Sequence, residues 1–237
     1  MPAMDGGFGI VAAVLEICLI DLLLSGDNAV VIALVCRGLP APMWRQVVWL
    51  GTAAALVLRI ALTAAAALVL NQPFLKLVGA VLLLAIAIQL VAQDPRSRPE
   101  TGREQRRDLW RALATIVVAD TVMSLDNVLA VAAAARGSYL LLAFGLLLSV
   151  PILIFGSVMV ARLLDRYPVL ILAGGALLGW VAGDTAVSDT AVKAWVDRQS
   201  SALAIAAPLI GAAYVLLHGR LVRLLRSRRS GADPSGG

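Results

Sequence analysis

Seven stretches of this chain are each long enough to cross a bilayer and nearly free of charge: about 8–36, 44–70, 73–93, 109–135, 139–163, 168–184 and 202–222. The hydrocarbon core of a membrane takes roughly 20 apolar residues of helix, so each run is a candidate span. Composition leaves few alternatives. Hydrophobic residues make up 60% of the 237 positions and charged residues 15%, where a soluble domain carries about 25% charged residues. With a mean hydropathy of +0.89, lipid has to be the solvent for most of the surface. The expected fold is all-α, a polytopic membrane protein with seven transmembrane helices.

Polar intervals separate the runs: Arg37-Gly38-Leu39-Pro40, Asn71-Gln72-Pro73, the charged stretch 94–108, Arg136-Gly137-Ser138 and Asp165-Arg166-Tyr167-Pro168. They hold most of the arginines, so the net charge of +5 reads as membrane topology and not as a nucleic-acid surface. With the N-terminus outside, fifteen of the 20 Lys and Arg residues fall on the cytoplasmic side, from Arg37 and Arg45 through the 96–111 cluster to the tail at 220–229. Only Lys76, Arg136, Lys193 and Arg198 fall outside, and Arg59 lies within a span. The positive-inside rule thus predicts an N-terminus outside, a C-terminus in the cytoplasm and an odd number of spans; the expected location is a bacterial inner membrane. The basic tail reads first as a stop-transfer anchor and is also placed to meet anionic lipid headgroups. Cys18 and Cys36 share one apolar run, 18 residues apart, too far to bridge along a helix, and they read as small buried hydrophobes. The opening residues Met1-Pro2-Ala3-Met4-Asp5 lack a basic region, so the first run is expected to be a span and not a cleaved signal peptide.

The chain repeats itself. Residues 21–38 read DLLLSGDNAVVIALVCRG and residues 120–137 read DTVMSLDNVLAVAAAARG. At a shift of 99, Asp21/Asp120, Ser25/Ser124, Asp27/Asp126, Asn28/Asn127, Ala33/Ala132, Arg37/Arg136 and Gly38/Gly137 are identical. A fainter match at a shift of 95 pairs Leu75, Leu77 and Gly79 with Leu170, Leu172 and Gly174, and puts Gln89 opposite Asp184. The expected organisation is a three-helix repeat over 1–93, a cytoplasmic basic loop at 94–108, and a second repeat over 109–184. Residues 185–237 add an external segment, a seventh helix and a basic tail. Three spans per unit make the second copy inverted, and inverted repeats are a transporter architecture with the site near the midplane.

The repeated motif carries buried acids. At about 2.5–3.5 kcal/mol per Asp on insertion scales, Glu16, Asp21, Asp27, Asp120 and Asp126 would together cost on the order of 15 kcal/mol uncompensated. Groups that expensive are functional candidates by default. Asp21, Ser25 and Asn28 fall at i, i+4 and i+7 and share one helix face; Asp120, Ser124 and Asn127 repeat that face. Asp27 and Asp126 point elsewhere on an unbroken helix. Ser25-Gly26-Asp27-Asn28 is a poor helix interior, however, and invites a break that would let the carboxylates converge. Leu125 replaces Gly26 in the second copy, where a break is less favoured. The candidate metal ligands are Asp21, Ser25, Asp27, Asn28, Asp120, Ser124, Asp126 and Asn127. Carboxylate, amide and hydroxyl oxygens suit hard ions such as Mn²⁺, Mg²⁺ and Ca²⁺. His218 sits at a span end, at headgroup level, and Met123 reads as packing. Arg59, near the middle of the second run, reads either as a counter-charge for a carboxylate or as a snorkelling side chain. Glu16 and Asp184 have no acidic counterpart in the other repeat, which leaves their roles open.

The signatures D-x-x-x-S-G-D-N-A-V at 21–30 and D-T-V-x-S-L-D-N-V at 120–128 resemble those of the TerC family, in its YjbE-type branch. The resemblance runs over nearly the whole chain. It implies a place among the LysE-type exporters and export of Mn²⁺ from the cytoplasm, and it hands the family's metal role to Asp21, Asp27, Asn28, Asp120, Asp126 and Asn127. The chain departs from many family members, which carry Glu at the place of Asp21 and Ser at the place of Asn127. The resulting expectation is a divalent-cation transporter working by alternating access. It would be no enzyme, with no permanently bound cofactor, and its partners would be lipid, the cation and protons, with no nucleic acid. Four carboxylates exceed the charge of one divalent ion, which makes proton exchange a natural coupling. Three other readings stand beside it: export of a small amino compound, a non-transporting scaffold or sensor, and an intramembrane aspartyl protease. The protease is disfavoured because the two Asp motifs are near-copies and the Tyr-Asp and Gly-x-Gly-Asp pair is missing. The exposed span surfaces and the 185–200 segment leave assembly into a homo-oligomer open.

Overall fold

The four residues Ser25-Gly26-Asp27-Asn28 end the first helix inside its apolar run, because each is a weak helix former. The computed structural model describes residues 7–37, 39–69, 72–93, 102–135, 137–199 and 201–230, and every regular element among them is helical. The elements are α1 (Gly7–Ser25), α2 (Asn28–Val35), α3 (Ala41–Ala64), α4 (Ala66–Val69), α5 (Leu75–Ala92), α6 (Gly102–Ala135), α7 (Tyr139–Arg166), α8 (Val169–Val187), α9 (Thr190–Gln199) and α10 (Ser201–Ser230). Six of them, α3, α5, α6, α7, α8 and α10, are long and apolar enough to cross a membrane. Seven such helices were expected. The first run is instead divided at Gly26-Asp27 into α1 and α2, and neither is among the six. In the second copy, with Leu125 in the place of Gly26, α6 continues unbroken.

The expected loop at 94–108 is shorter than its charge suggested. α6 begins at Gly102, so the residues up to Asp108 are helical. Arg, Glu and Gln are good helix formers, and Glu104 in the first turn complements the helix dipole. Residues 94–101, Gly38, Asn71 and Arg136 lie outside the described residues.

The helices gather into two compact units. In the first, α1 and α2 pack along α7, α3 packs along α6, and α1 also meets α6. Ala13 and Ile17 of α1 bury against Val131, Ala134 and Ala135 of α6 and Leu141, Leu142 and Leu146 of α7. α7 comes close enough to α1 that a Cβ on Gly145 would sit 2.4 Å from Ile17 Cγ2.

The second unit contains α5, α8, α9 and α10, with α8 packed against both α5 and α10. α8 and α10 touch backbone to backbone. A Cβ on Gly211 would lie 2.1 Å from the Gly179 carbonyl oxygen, and one on Gly183 would lie 2.2 Å from that of Ala207. Small residues that let helices approach are how membrane helices gain contact without a hydrophobic driving force. Gly211→Ala should therefore cost about 1–3 kcal/mol by overpacking. At Gly156 of α7 the nearest atom to a new Cβ is Ala29 Cβ at 3.7 Å. Gly156→Ala should be neutral or stabilising by up to about 1 kcal/mol from helix propensity. Thermal unfolding of the two variants in detergent checks the contrast.

One buried carboxylate organises the end of this unit. Asp189 Oδ1 accepts from the backbone N–H of Ala191 at 2.8 Å and of Phe74 at 3.0 Å, and Oδ2 accepts from that of Leu77 at 3.1 Å. The side chain thus caps α9 and α5 together, and it holds Phe74 at a φ of 66°, the left-handed region. Desolvation opposes ionisation of Asp189, yet the backbone N–H groups of Ala191, Leu77, Phe74 and Lys76 hold its carboxyl below the usual range. A lowered pKa means stabilisation that is complete above the unfolded value, about 3.9, and lost as pH falls through the folded one. Asp189→Asn should cost about 1–2 kcal/mol near neutral pH. Melting curves from pH 7 down to pH 3 should show the gap to wild type closing only at the acid end.

Candidate functional site

The break after Ser25 brings the polar faces of α1, α2 and α6 together in the first unit. Asp21 and Ser25 end α1, Asn28 opens α2, and Asp120 and Ser124 lie midway along α6. Arg59 reaches in from α3 and Ser149 from α7. Asp21, Ser25, Asn28, Arg59, Ser124 and Ser149 are all buried.

Arg59 is the centre of the cluster. Its Nη1 pairs with Asp21 Oδ1 and its Nη2 pairs with Asp120 Oδ1, so one guanidinium bridges the two repeat-related carboxylates. Nη1 also donates to Ser25 Oγ at 2.7 Å, and Ser25 Oγ lies 3.3 Å from Asp21 Oδ1. Ser149 Oγ donates to Asp21 Oδ2. Asn28 Nδ2 donates to Asp120 Oδ1 at 2.6 Å, and Ser124 Oγ lies 3.4 Å from Asp120 Oδ2. A buried pair persists only when both charges are compensated in this way, and arginine is the residue whose planar fork can hold two carboxylates at once. Arg59 is therefore paired and does not snorkel.

The remaining motif residues stand differently. Asp27 is half-buried at the head of α2, within electrostatic reach of Arg59 and Asp120, and its Oδ1 has no hydrogen-bond partner. Asn127 Nδ2 donates to the Leu24 carbonyl at 3.0 Å. That carbonyl is in the last turn of α1, where the break removes helical partners, so Asn127 closes the break while Asn28 faces the charges. Asp126 is exposed on α6. It is six positions after Asp120, roughly 120° away around an unbroken helix. Glu16 and Asp184 are also exposed. Among the described residues no three acidic, histidine or cysteine side chains gather as a metal-holding group. Arg59 occupies the position between the two central carboxylates.

A cavity of about 30 Å³ borders this cluster, lined by Asp21, Asn28, Thr52, Arg59, Asp120 and Ser149 with apolar neighbours including Leu56 and Leu153. Ser149 and Thr52 were missed from sequence. A shift of 97, midway between the two shifts that carry the repeat, pairs Thr52 with Ser149 and Leu56 with Leu153, and that was the available signal.

Several helices of this length and apolarity define an integral, multi-pass membrane protein, with an ion-pair cluster buried among its helices. The chain belongs to the TerC family of integral membrane proteins, whose family model matches residues 8–227. It is 40% identical over 198 residues to the membrane protein YjbE of Bacillus subtilis strain 168, which covers 84% of this chain and 89% of that one. It is 27% identical over 176 residues to the membrane protein YkoY of the same organism, covering 67% of this chain and 54% of the other. No solved structure matches the chain.

Proposed function

We propose that this protein is a divalent-cation transporter of the bacterial cytoplasmic membrane that exports Mn²⁺ by alternating access, with its N-terminus outside. The observation that carries the reading is the single arginine bridging Asp21 and Asp120. A tethered monovalent cation holds two carboxylates that a divalent ion would neutralise fully. The other polar groups around them are oxygens of serine, threonine and asparagine side chains, the set that hard cations take. The protein acts as a carrier and not as an enzyme, and protons are the natural counter-ion for carboxylates that alternate between metal and water.

The helix packing supports an inverted repeat. α1 and α2 pack on α7, while their counterpart α6 packs on α3. Exchanging the two halves of the sequence turns one pairing into the other, and it maps the α1–α6 and α5–α8 contacts onto themselves. On this reading α1 and α2 together form a seventh, broken span. Discontinuous helices at the binding site are the usual device of such transporters.

A second reading, export of a small amino compound as in LysE-type proteins, draws on the guanidinium already seated between the acids. The cavity favours the ion. A water needs about 10–15 Å³, so a cavity of about 30 Å³ fits an ion with a water or two more readily than an amino acid. The test is total cellular metal in a manganese-sensitive bacterial host, with and without the protein. Lowered manganese at constant magnesium and calcium supports the proposal. A shift in magnesium or calcium alone corrects the ion, and no shift in any cation removes the cation reading in favour of the amino compound.

A further inference from the structure

The cavity beside Arg59 contains two oxygens with no partner. Asn28 Oδ1 and Thr52 Oγ1 make no hydrogen bond, although their residues are only 4% and 6% exposed. Leaving a buried polar atom unpaired costs about 1–3 kcal/mol, and both side chains line the same small space. Thr52 is outside the repeated motif and belongs to no ion pair. Its counterpart at the 97-residue shift is Ser149, whose hydroxyl meets both Asp21 Oδ2 and the Leu146 carbonyl, 2.8 Å away. α7, which carries Ser149, packs on α1, and α3, which carries Thr52, packs on α6. Thr52 and Asp120 line the same cavity, and by the 97-residue correspondence Thr52 answers on the α3–α6 side to Ser149 on the α7–α1 side. Among the described residues Asp120 Oδ2 has only the long 3.4 Å contact with Ser124, while Asp21 Oδ2 is bonded by Ser149.

We propose that Thr52 Oγ1 and Asn28 Oδ1 are neutral ligands for a hard divalent cation bound on the Asp120 side of this cavity, which makes Thr52 a binding residue of the site. The inference rests on the cation-transport reading and extends it. Hard cations take hydroxyl and amide oxygens beside carboxylates, and the cavity accommodates one partly dehydrated ion. Two unpaired oxygens in the lining that also holds Asp120 offer such an ion three donors of the right kind from three different helices, α2, α3 and α6.

The test uses the purified full-length protein in detergent, with Mn²⁺ as the probe and both calorimetric binding and thermal unfolding as readouts. Thr52→Val keeps the shape and removes the oxygen, and Thr52→Ser keeps the oxygen. Thr52→Val should weaken Mn²⁺ binding about tenfold while its ion-free melting temperature stays equal or rises, since an unpaired buried hydroxyl has gone. Thr52→Ser should bind within about threefold of wild type, as one oxygen ligand replaces another. Wild-type affinity in Thr52→Val would overturn the inference and leave the transport reading standing. A Thr52→Val protein whose ion-free melting temperature falls along with its affinity would assign Thr52 to packing and overturn it too. If wild type binds none of Mn²⁺, Mg²⁺ or Ca²⁺, the transport reading falls and takes the inference with it.

Discussion

Arg59→Ala should destabilise the ion-free protein by about 3–5 kcal/mol, the cost of leaving a buried charge without its partner. Here the partners are two carboxylates, Asp21 and Asp120, bridged by one guanidinium, and removing it leaves them to repel each other in a low-dielectric interior. Arg59→Lys should recover only part of the loss, because a single ammonium cannot present a planar fork to both acids. The same substitution tests the transport reading through its response to ions. In the wild type an incoming Mn²⁺ competes with the guanidinium for the two carboxylates; in Arg59→Ala it does not. Mn²⁺ should therefore raise the melting temperature of Arg59→Ala more than that of wild type, at equal ion concentration. Ligand at 100 times its Kd adds about 2.7 kcal/mol, enough to restore most of the lost stability. Thermal unfolding in detergent, with and without Mn²⁺, measures both effects. An Arg59→Ala protein that is destabilised and gains nothing from any divalent cation would make the cluster a structural ion pair only.

The sequence showed much of this site because its chemistry is costly in lipid. Acids in apolar runs stand out, their repetition at a fixed shift doubles the signal, and i, i+4, i+7 spacing puts Asp21, Ser25 and Asn28 on one helix face. The weakness of Ser25-Gly26-Asp27-Asn28 as helix also located the division between α1 and α2. Residues whose cost is low escaped. Ser149 and Thr52 are lone hydroxyls in apolar helices, where a hydroxyl can bond to its own backbone, as Thr63 Oγ1 does to the Arg59 carbonyl at 2.8 Å. Asp189 escaped for another reason. Its partners Phe74 and Leu77 are 115 and 112 positions away, and no periodicity links a cap to a helix that remote. The division into two units was equally hidden, since each unit takes helices from both halves of the repeat, and sequence order says nothing about that exchange.

Asp120→Asn should abolish transport, lowering manganese export at least about 100-fold, and should leave the protein folded. The amide keeps the size of the side chain and can still accept from Arg59, while the Arg59–Asp21 pair remains intact and electrically balanced. What disappears is the excess negative charge. Two acids against one arginine attract a cation; one acid against one arginine do not, and a neutral site has no reason to take a doubly charged ion out of water. Asp126→Asn, the same change six positions on, should lower export only a few-fold, because Asp126 is exposed and on another side of α6. The comparison is informative because the two aspartates lie in one motif and one helix, so expression and insertion are matched. Manganese uptake into inverted vesicles, at equal protein per vesicle, gives the two rates. Equal and complete loss in both variants would mean that Asp126 comes inside at another stage of the cycle, carried there by a rotation or break of α6 that its leucine at 125 does not show in this conformation.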